Sequence, residues 1–489
     1  MSLTFTDIFC GAGGTSTGMV EAGFELVLAA NHWQRAIETH ALNHPRAEHM
    51  CADVNNYDMR RLPGTDVLCA SPICTENSPA GAGSGRRSKR ADGQLPIEEL
   101  GHVPQAGFER TRATFHDVIR ATEVHRYKAV IVENVPDVVW RWELFDWWCQ
   151  GMIRLGYRMR ILSADAAHLA GVGNDPAAQW RKRIWINFIR NDIPMPDLEL
   201  TPPAWCPLCE TDVHAVQTWK PSAPRVLGQP VGKYRQQYTY TCPRGHATVE
   251  PYVLPAASII DWSDLGARIG DRRRPLAKAT QAKILDGLRL LREPALITVN
   301  HQDADRRPLP LASAPLPTRT VKIGEGIATH PLLVPCGGSR YDTAYSTTGP
   351  MRPRLTRESE AIVTPPAFIA TLRRHGGAQP VAHPVGTITG GGNHHALIIP
   401  YHRGNHPTTT NQPLHTLATR DSGALVHPEI ELEDCRLRML KPREQLSGQR
   451  FPTNYRVVGN LAEQTMQAGN ANPVNAAHWI GQRIATALA

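Results

Sequence analysis

The chain has 489 residues, a formal charge of +8, ten cysteines, 40 prolines and 39 glycines. That length holds about three domains' worth of material, rich in loops. No apolar run approaches the roughly 18 residues of a membrane helix, so no membrane partner is expected; the mild positive charge favours a polyanion only slightly. The start of the chain leaves no room for a signal peptide, and cysteines in apolar surroundings fit a cytoplasmic protein rather than a disulfide scaffold.

Leu3 to Ile8 reads as a strand. It runs into Phe9-Cys10-Gly11-Ala12-Gly13-Gly14, a glycine-rich turn whose backbone can approach a ligand closely; the hydroxyl residues Thr15, Ser16 and Thr17 are available to cap the following helix and Gly23 to end it. A second strand, Leu26 to Ala30, leads to Asn31-His32-Trp33, and Asp53-Val54 follows the next short element. In nucleotide-type sites the tip of the second strand usually carries an acid for the ribose hydroxyls. Here it offers His32, while Asp53 supplies a carboxylate nearby.

Val67 to Ala70 reads as a buried strand ending in Ser71-Pro72-Ile73-Cys74-Thr75-Glu76. A lone cysteine is more often a small buried residue than a reactive one. At the C-terminal end of a buried strand, in a Pro/Gly-punctuated loop, it stands where open α/β sheets keep their chemistry. The basic run Arg86, Arg87, Lys89 and Arg90 fits either a solvated surface or a loop that grips phosphates. A helix near Phe108 to His125 precedes the strand Ala129 to Val132, which ends in Glu133-Asn134-Val135-Pro136. A carboxylate at such a tip is costly unless paired or used. The tryptophans from Trp140 to Trp148 stand at helical spacing and are assigned to packing. Tyr157 to Ser163 and Arg183 to Ile189 are strand-like, and between them lies Gln179-Trp180-Arg181-Lys182-Arg183. Alternation within a strand would send Arg181 and Arg183 to one face, where two guanidiniums make a good oxygen clamp.

From about residue 191 the α/β rhythm stops. Cys206-Pro207-Leu208-Cys209 and Cys242-Pro243-Arg244-Gly245-His246 form two knuckle-like pairs separated by a hairpin-sized insert, the spacing of a structural zinc site. His214 competes with His246 for the fourth position. Further on, Pro315 to Thr320, Pro384 to Thr389 and Pro413 to Ala418 share a Pro-apolar-x-Thr core; Leu332 to Pro335, Ala396 to Pro400 and Ala424 to Pro428 follow them, with a degenerate copy at Glu360 to Pro366. These describe an irregular β-domain that presents loops. Helix-like sequence returns at Arg438 to Glu444, and Gly469-Asn470-Ala471-Asn472-Pro473 opens the last helix.

Taken together and in order, these segments resemble the DNA cytosine-5 methyltransferase family: Phe-x-Gly-x-Gly-Gly, a cysteine loop, Glu-Asn-Val, Gln-x-Arg-x-Arg, a long insert, Arg-x-Leu-x-x-x-Glu with Phe-Pro, and Gly-Asn-Ala-x-Pro. The resemblance covers residues 3–190 and 435–487. It implies an α/β, Rossmann-like, mostly parallel sheet with helices on both faces (1–190 and 435–489). To this is added a large irregular β-rich target-recognition domain (195–434) containing a zinc ribbon at 204–250. It implies S-adenosyl-L-methionine as cofactor, held by Phe9, Gly11, Gly13, Gly14, His32, Trp33, Asp53, Val54 and Asn470. Cys74 would be the nucleophile that adds to cytosine C6, Glu133 would bind and protonate the N3 side, and Arg181 and Arg183 would steady the base. The expected metal is one structural zinc on Cys206, Cys209, Cys242 and His246. The expected partner is double-stranded DNA, with a cognate restriction endonuclease where the chain is half of a restriction–modification pair, and a monomer is expected to act.

The chain departs from the family at two points: Pro72-Ile73-Cys74-Thr75 replaces the usual Pro-Pro-Cys-Gln, and His32 replaces an acidic ribose ligand. A related branch methylates tRNA on the same scaffold, but the insert is longer than that branch needs. A non-catalytic DNA-binding relative is opposed by the survival of Cys74, Glu133, Arg181 and Arg183 together.

Overall fold

A computed structural model describes residues 2–72, 104–259 and 441–489 continuously, with side chains in the first of the two later stretches from residue 113; between 260 and 440 it describes only scattered segments. Cys74, the basic run at 86–90 and the three Pro-apolar-x-Thr cores lie outside the described residues.

Seven strands form one sheet: β1 (Thr4–Ile8), β2 (Glu25–Asn31), β3 (Glu48–Cys51), β4 (Val67–Ala70), β5 (Ala129–Asn134), β6 (Tyr157–Asp165) and β7 (Lys182–Arg190). Their order is β3-β2-β1-β4-β5-β7-β6, parallel except for β7, which runs antiparallel to both neighbours. The expected α/β, mostly parallel architecture is therefore present. The chain winds outward from β1 to β3 and returns to β4, so the order reverses between β1 and β4, which is where open α/β sheets bind ligands.

The strands are apolar throughout because both faces are covered. Alternation sends Phe5, Val67, Cys69, Ala129, Ile131, Trp185 and Ile189 to one core, with Met19, Trp479, Ile480 and Ile484. It sends Ile8, Leu68, Ala70, Val130, Val132, Ile184, Ile186 and Phe188 to the other, with Phe115, Phe145, Trp148 and Met152. The first face carries α1 (Gly14–Glu21) and the C-terminal α8 (Val474–Leu488); the second carries α3 (Pro104–His125) and α5 (Phe145–Arg154). Of the tryptophans assigned to packing, Trp142 and Trp148 are buried, but Trp140 and Trp147 are 42% and 58% exposed. The short α4 (Val138–Arg141) interrupts the helical period that the assignment assumed.

The first core runs on beyond residue 190 without a break. Leu198, Leu200, Ala204, Cys206, Ala215, Tyr234, Tyr238, Tyr240, Cys242 and Val249 all belong to it. The elements of this stretch are the hairpin β8 (Pro203–Cys206) and β9 (Thr211–His214), then β10 (Val216–Trp219), β11 (Arg225–Val226), β12 (Gln229–Pro230), β13 (Tyr238–Thr241) and β14 (Thr248–Val249), with Val226 of β11 in the second core. Farther along, Leu332–Pro335, Glu360–Val363 and His395–Ile398 are strands, as the repeat reading expects of the segments at those positions. Arg436–Met439 is a strand paired with His395–Ile398, where helix-like sequence was expected; the helix α6 (Pro442–Ser447) starts at Pro442 instead, a residue suited to a helix's first position. After it come α7 (Leu461–Asn470) and α8.

The hydroxyls after the glycine turn do not cap α1, whose N-cap Gly13 offers no side chain. Thr17 Oγ1 instead donates to Gly13 O (2.7 Å), and Ser16 Oγ donates to the buried Asp7 Oδ2 (2.5 Å) while meeting His40 Nε2 (2.9 Å). Burial pushes the Asp7 carboxyl up to about 7 against the lowering effect of Ser16. A folded-state value above the unfolded one means a contribution to stability that is present at low pH and lost as pH rises through about 7. Asp7→Asn should therefore gain stability relative to the parent as pH rises from about 4 to about 7; denaturant titrations showing a constant difference across that window would contradict this.

α1 and α8 pack closely through glycine. A Cβ on Gly18 would stand 2.4 Å from Val474 O, whereas one on Gly64 meets nothing nearer than 3.9 Å. Gly18→Ala should cost about 1–3 kcal/mol by thermal or denaturant unfolding. Gly64→Ala should be near neutral, and equal effects would contradict the close packing.

Candidate active site and metal centre

The strand tips build the crevice at the switch point. Beyond β1, Phe9 takes φ +62°, followed by Gly11 at +55° and Gly13 at +86°. The left-handed Phe9 is costly and persists only if its surroundings hold it. They do: Cys10 N donates to Ala30 O (3.1 Å) and Gly13 N to Cys10 O (3.0 Å). At the tip of β2, Asn31 Oδ1 accepts from Trp33 N (3.0 Å), and Asn31 O accepts from Ala52 N (3.1 Å), which ties the tips of β2 and β3. Asp53 caps the short helical turn Val54–Asn56 by accepting from Asn55 N (3.2 Å). Phe9, Gly11, Gly13, Gly14, His32, Trp33, Asp53 and Val54 thus all sit at the C-terminal edge of β1, β2 and β3. His32 is exposed, Trp33 and Asp53 are half-buried and Val54 is buried. Asn470 ends α7, with its carbonyl 3.9 Å from where a Gly11 Cβ would stand. An uncapped helix start, close backbone and a half-buried aromatic ring suit a cofactor that carries a carboxylate and a purine.

Across the crevice, Glu133 at the tip of β5 meets Arg183 of β7, with Oε1 2.6 Å from Nε and both side chains about nine-tenths buried. Arg183 also donates to Lys182 O (2.9 Å). The neighbouring Asn134 donates through Nδ2 to Pro72 O (3.0 Å), which ties the segment leaving β4 to the tip of β5. Asn472 donates through Nδ2 to Ser71 Oγ (2.7 Å) and to Thr15 Oγ1 (2.9 Å). Its residue type and the Gly-Asn-Ala-Asn-Pro setting were visible in the sequence, but its two partners were not.

Arg181 lies one residue before the start of β7, and its carbonyl accepts from Ala166 N (3.2 Å). Its backbone N donates to Asp165 Oδ1 (2.9 Å), and its guanidinium donates to Gly469 O (3.1 Å), a carbonyl in the last turn of α7. The two arginines therefore divide the work, Arg183 on Glu133 and Arg181 on the C-terminal segment.

A second constellation lies in the insert. Cys206 at the end of β8, Cys209 in the following turn, Cys242 after β13 and His246 before β14 bring four ligand atoms within 4.8 Å of one another. Cys206 Sγ and Cys209 Sγ are 3.3 and 3.4 Å from His246 Nε2, and Cys209 Sγ is 3.7 Å from Cys242 Sγ. Zinc bonds of about 2.3 Å to sulfur and 2.0–2.1 Å to nitrogen, set tetrahedrally, give edges of about 3.8 and 3.5 Å. The donor set and its spacing fit zinc. His214 is instead exposed at the end of β9, 3.4 Å from Thr201 O through Nδ1, and is not in the cluster.

The C-5 cytosine-specific DNA methylase family profile matches residues 3–225. Over 92 residues the chain is 35% identical to the Type II methyltransferase M.HgiGI of Herpetosiphon aurantiacus, covering 18% of this chain and 73% of that one. It is 32% identical over 137 residues to M.AgeI of Thalassovita gelatinovora and 29% identical over 137 residues to M.HhaI of Haemophilus parahaemolyticus, both Type II methyltransferases. Those matches cover 26% and 28% of this chain but only 27% and 34% of the relatives. With a profile that begins at β1 and passes through the glycine turn, Glu133 and Arg183, the chain belongs to the C-5 cytosine-specific DNA methylase family.

Proposed function

We propose that the chain methylates C5 of cytosine in duplex DNA with S-adenosylmethionine as donor, and that Cys74, Glu133 and Arg183 act on the base. The observation that carries this reading is the Glu133–Arg183 pair standing beside the moored stem of the cysteine loop. A base admitted there meets a thiolate on one side and the carboxyl and guanidinium at its ring edge.

Cytosine C5 is a poor nucleophile until sulfur adds at C6. In this reading the Cys74 thiolate forms the S–C6 bond while Glu133 delivers a proton at N3, leaving an enamine whose C5 is electron-rich. Arg183 donates to O2, and Arg181 holds the C-terminal segment against the site. S-adenosylmethionine supplies an electrophilic methyl group when bound, held by Phe9, Gly11, Gly13, Gly14, Trp33, Asp53, Val54 and Asn470, with His32 in place of the acidic ribose ligand. Loss of the C5 proton to water, departure of the sulfur as thiolate and return of the N3 proton to Glu133 then restore the neutral aromatic ring. The target atom is hidden in a duplex, so the base must be flipped out, at a cost of a few kcal/mol.

The same reading assigns residues 195–434 to target recognition and one structural zinc to Cys206, Cys209, Cys242 and His246; four protein ligands leave no open position for water. A nuclease partner is proposed on the strength of the Type II relatives.

Bisulfite sequencing of DNA from cells expressing the chain tests the activity directly. The parent should protect cytosines in one sequence context, Cys74→Ser should lose at least about 1,000-fold in rate, and Glu133→Gln about 100-fold. A Cys74→Ser protein that methylates at the parental rate would sink the mechanism. For the metal, the purified parent should carry about one zinc per chain and the Cys206→Ser, Cys209→Ser double variant none, with cofactor binding retained; equal zinc in both would reduce the four residues to coincidence.

A further inference from the structure

The insert is bonded into the catalytic sheet. Gln229 on β12 completes the otherwise open edge of β6, with Oε1 accepting from Ile161 N (2.9 Å) and Nε2 donating to Met159 O (2.8 Å). Gly232 N donates to Ser163 Oγ (3.2 Å), and Lys182 Nζ donates to Tyr234 O (3.1 Å), one residue from Arg183. Between these contacts Lys233 reaches the catalytic side. Its Nζ lies 2.7 Å from Asp137 Oδ2, with the two side chains 16% and 7% exposed, and 5.5 Å from the centroid of the Trp140 ring.

Asp137 ends the short link that leaves β5 after Asn134, four residues beyond Glu133. It occupies the N-cap position of α4, where an aspartate ordinarily caps its own helix, yet its side chain makes no capping bond. The carboxylate is turned to the lysine instead. Lys233 is held in its turn: its N donates to Gln237 Oε1 (2.8 Å) and its carbonyl accepts from Gln237 N (2.9 Å). That turn feeds β13, which runs straight into the ligand Cys242, where Cys242 N donates to Ala247 O (2.9 Å). The lysine and the metal cluster therefore stand at opposite ends of one strand.

Resting on the methyltransferase and zinc readings above, we infer that Lys233 is a positioning residue for the reaction. Its ammonium clamps Asp137 and so fixes the link that follows the tip of β5, where Glu133 stands, and the Cys/His cluster holds β13 and thereby Lys233 in place. The ion pair is largely out of water, so it is short-range and little screened by salt. Loss of the lysine leaves the Asp137 carboxylate buried without its partner, and the loop must shift to hydrate it.

The test uses the full chain as Lys233→Met and Lys233→Arg, and the parent stripped of metal by a chelator. Amide hydrogen exchange across residues 133–141 reports the loop without needing turnover; kcat and KM for DNA and for S-adenosylmethionine report the reaction. Faster exchange in Lys233→Met and in the stripped parent is expected. A fall in kcat of about tenfold to a hundredfold is expected with both KM values unchanged, and Lys233→Arg should restore most of it. Unchanged exchange in Lys233→Met, or faster exchange with kcat unaltered, overturns the positioning role. Stripping that removes zinc but leaves exchange unchanged overturns the metal's share in it. A parent that never contained zinc sinks the zinc reading alone, and a parent that never methylates sinks the functional reading; both are seen before any variant is compared.

Discussion

The site depends on two asparagines of the C-terminal segment. Asn472 spends its amide on Thr15 behind the glycine turn and on Ser71 at the stem of the cysteine loop. Asn475 spends its own on Ala166 O (2.8 Å) and Leu169 O (2.7 Å), and its carbonyl accepts from Asn174 Nδ2 (2.9 Å). Both lie at the start of α8, and Asn475 is fully buried. Loops that leave a sheet at its C-terminal edge carry backbone groups with no partner in the sheet, and each one left buried and unsatisfied costs about 1–3 kcal/mol. The last part of the chain supplies those partners, so the crevice is complete only when the two ends of the catalytic unit have met. The glycines of α1 are the steric counterpart: Gly14 and Gly18 leave the space that the 472–478 backbone occupies.

The second constraint is electrostatic. Glu133 and Arg183 come from adjacent antiparallel strands, β5 and β7, and meet because Glu133 sits at the end of one and Arg183 near the start of the other. A buried pair of this kind adds little net stability, but removing one member is costly, so it persists where its geometry is needed. Here it keeps the carboxyl group and the guanidinium oriented and adjacent. In the proposed reaction both then exchange a protein partner for the edge of a base.

Strand tips were legible because buried strands are short apolar runs and chemistry gathers where they end; Phe9 to Gly14 and Glu133 stand where the sequence pattern puts them. The Arg181 contact with the Gly469 carbonyl was not legible, because its partner is distant in the sequence. The capping role given to Thr15, Ser16 and Thr17 failed because Asp7, Asn472 and the Gly13 carbonyl compete for those hydroxyls. None of these competitors except Gly13 is a sequence neighbour. The same holds for Asn134 with Pro72 and for Lys233 with Asp137: single hydrogen bonds and ion pairs between distant residues leave no periodic trace in a sequence. The cluster of Cys206, Cys209, Cys242 and His246 was legible as two pairs, and the β8–β9 and β13–β14 turns bring those four together while leaving His214 outside.

In the proposed reaction a thiolate on the loop after β4 attacks a cytosine held by Glu133 and Arg183. The most direct measurement of that attack is covalent trapping on long duplex DNA in which every cytosine is replaced by 5-fluorocytosine, with S-adenosylmethionine present. Fluorine at C5 cannot leave as a proton does, so the sulfur–C6 bond should persist. The account predicts a denaturation-resistant protein–DNA adduct whose peptide map places the link on Cys74. DNA binding and cofactor binding without any adduct, or an adduct on another residue, would contradict it.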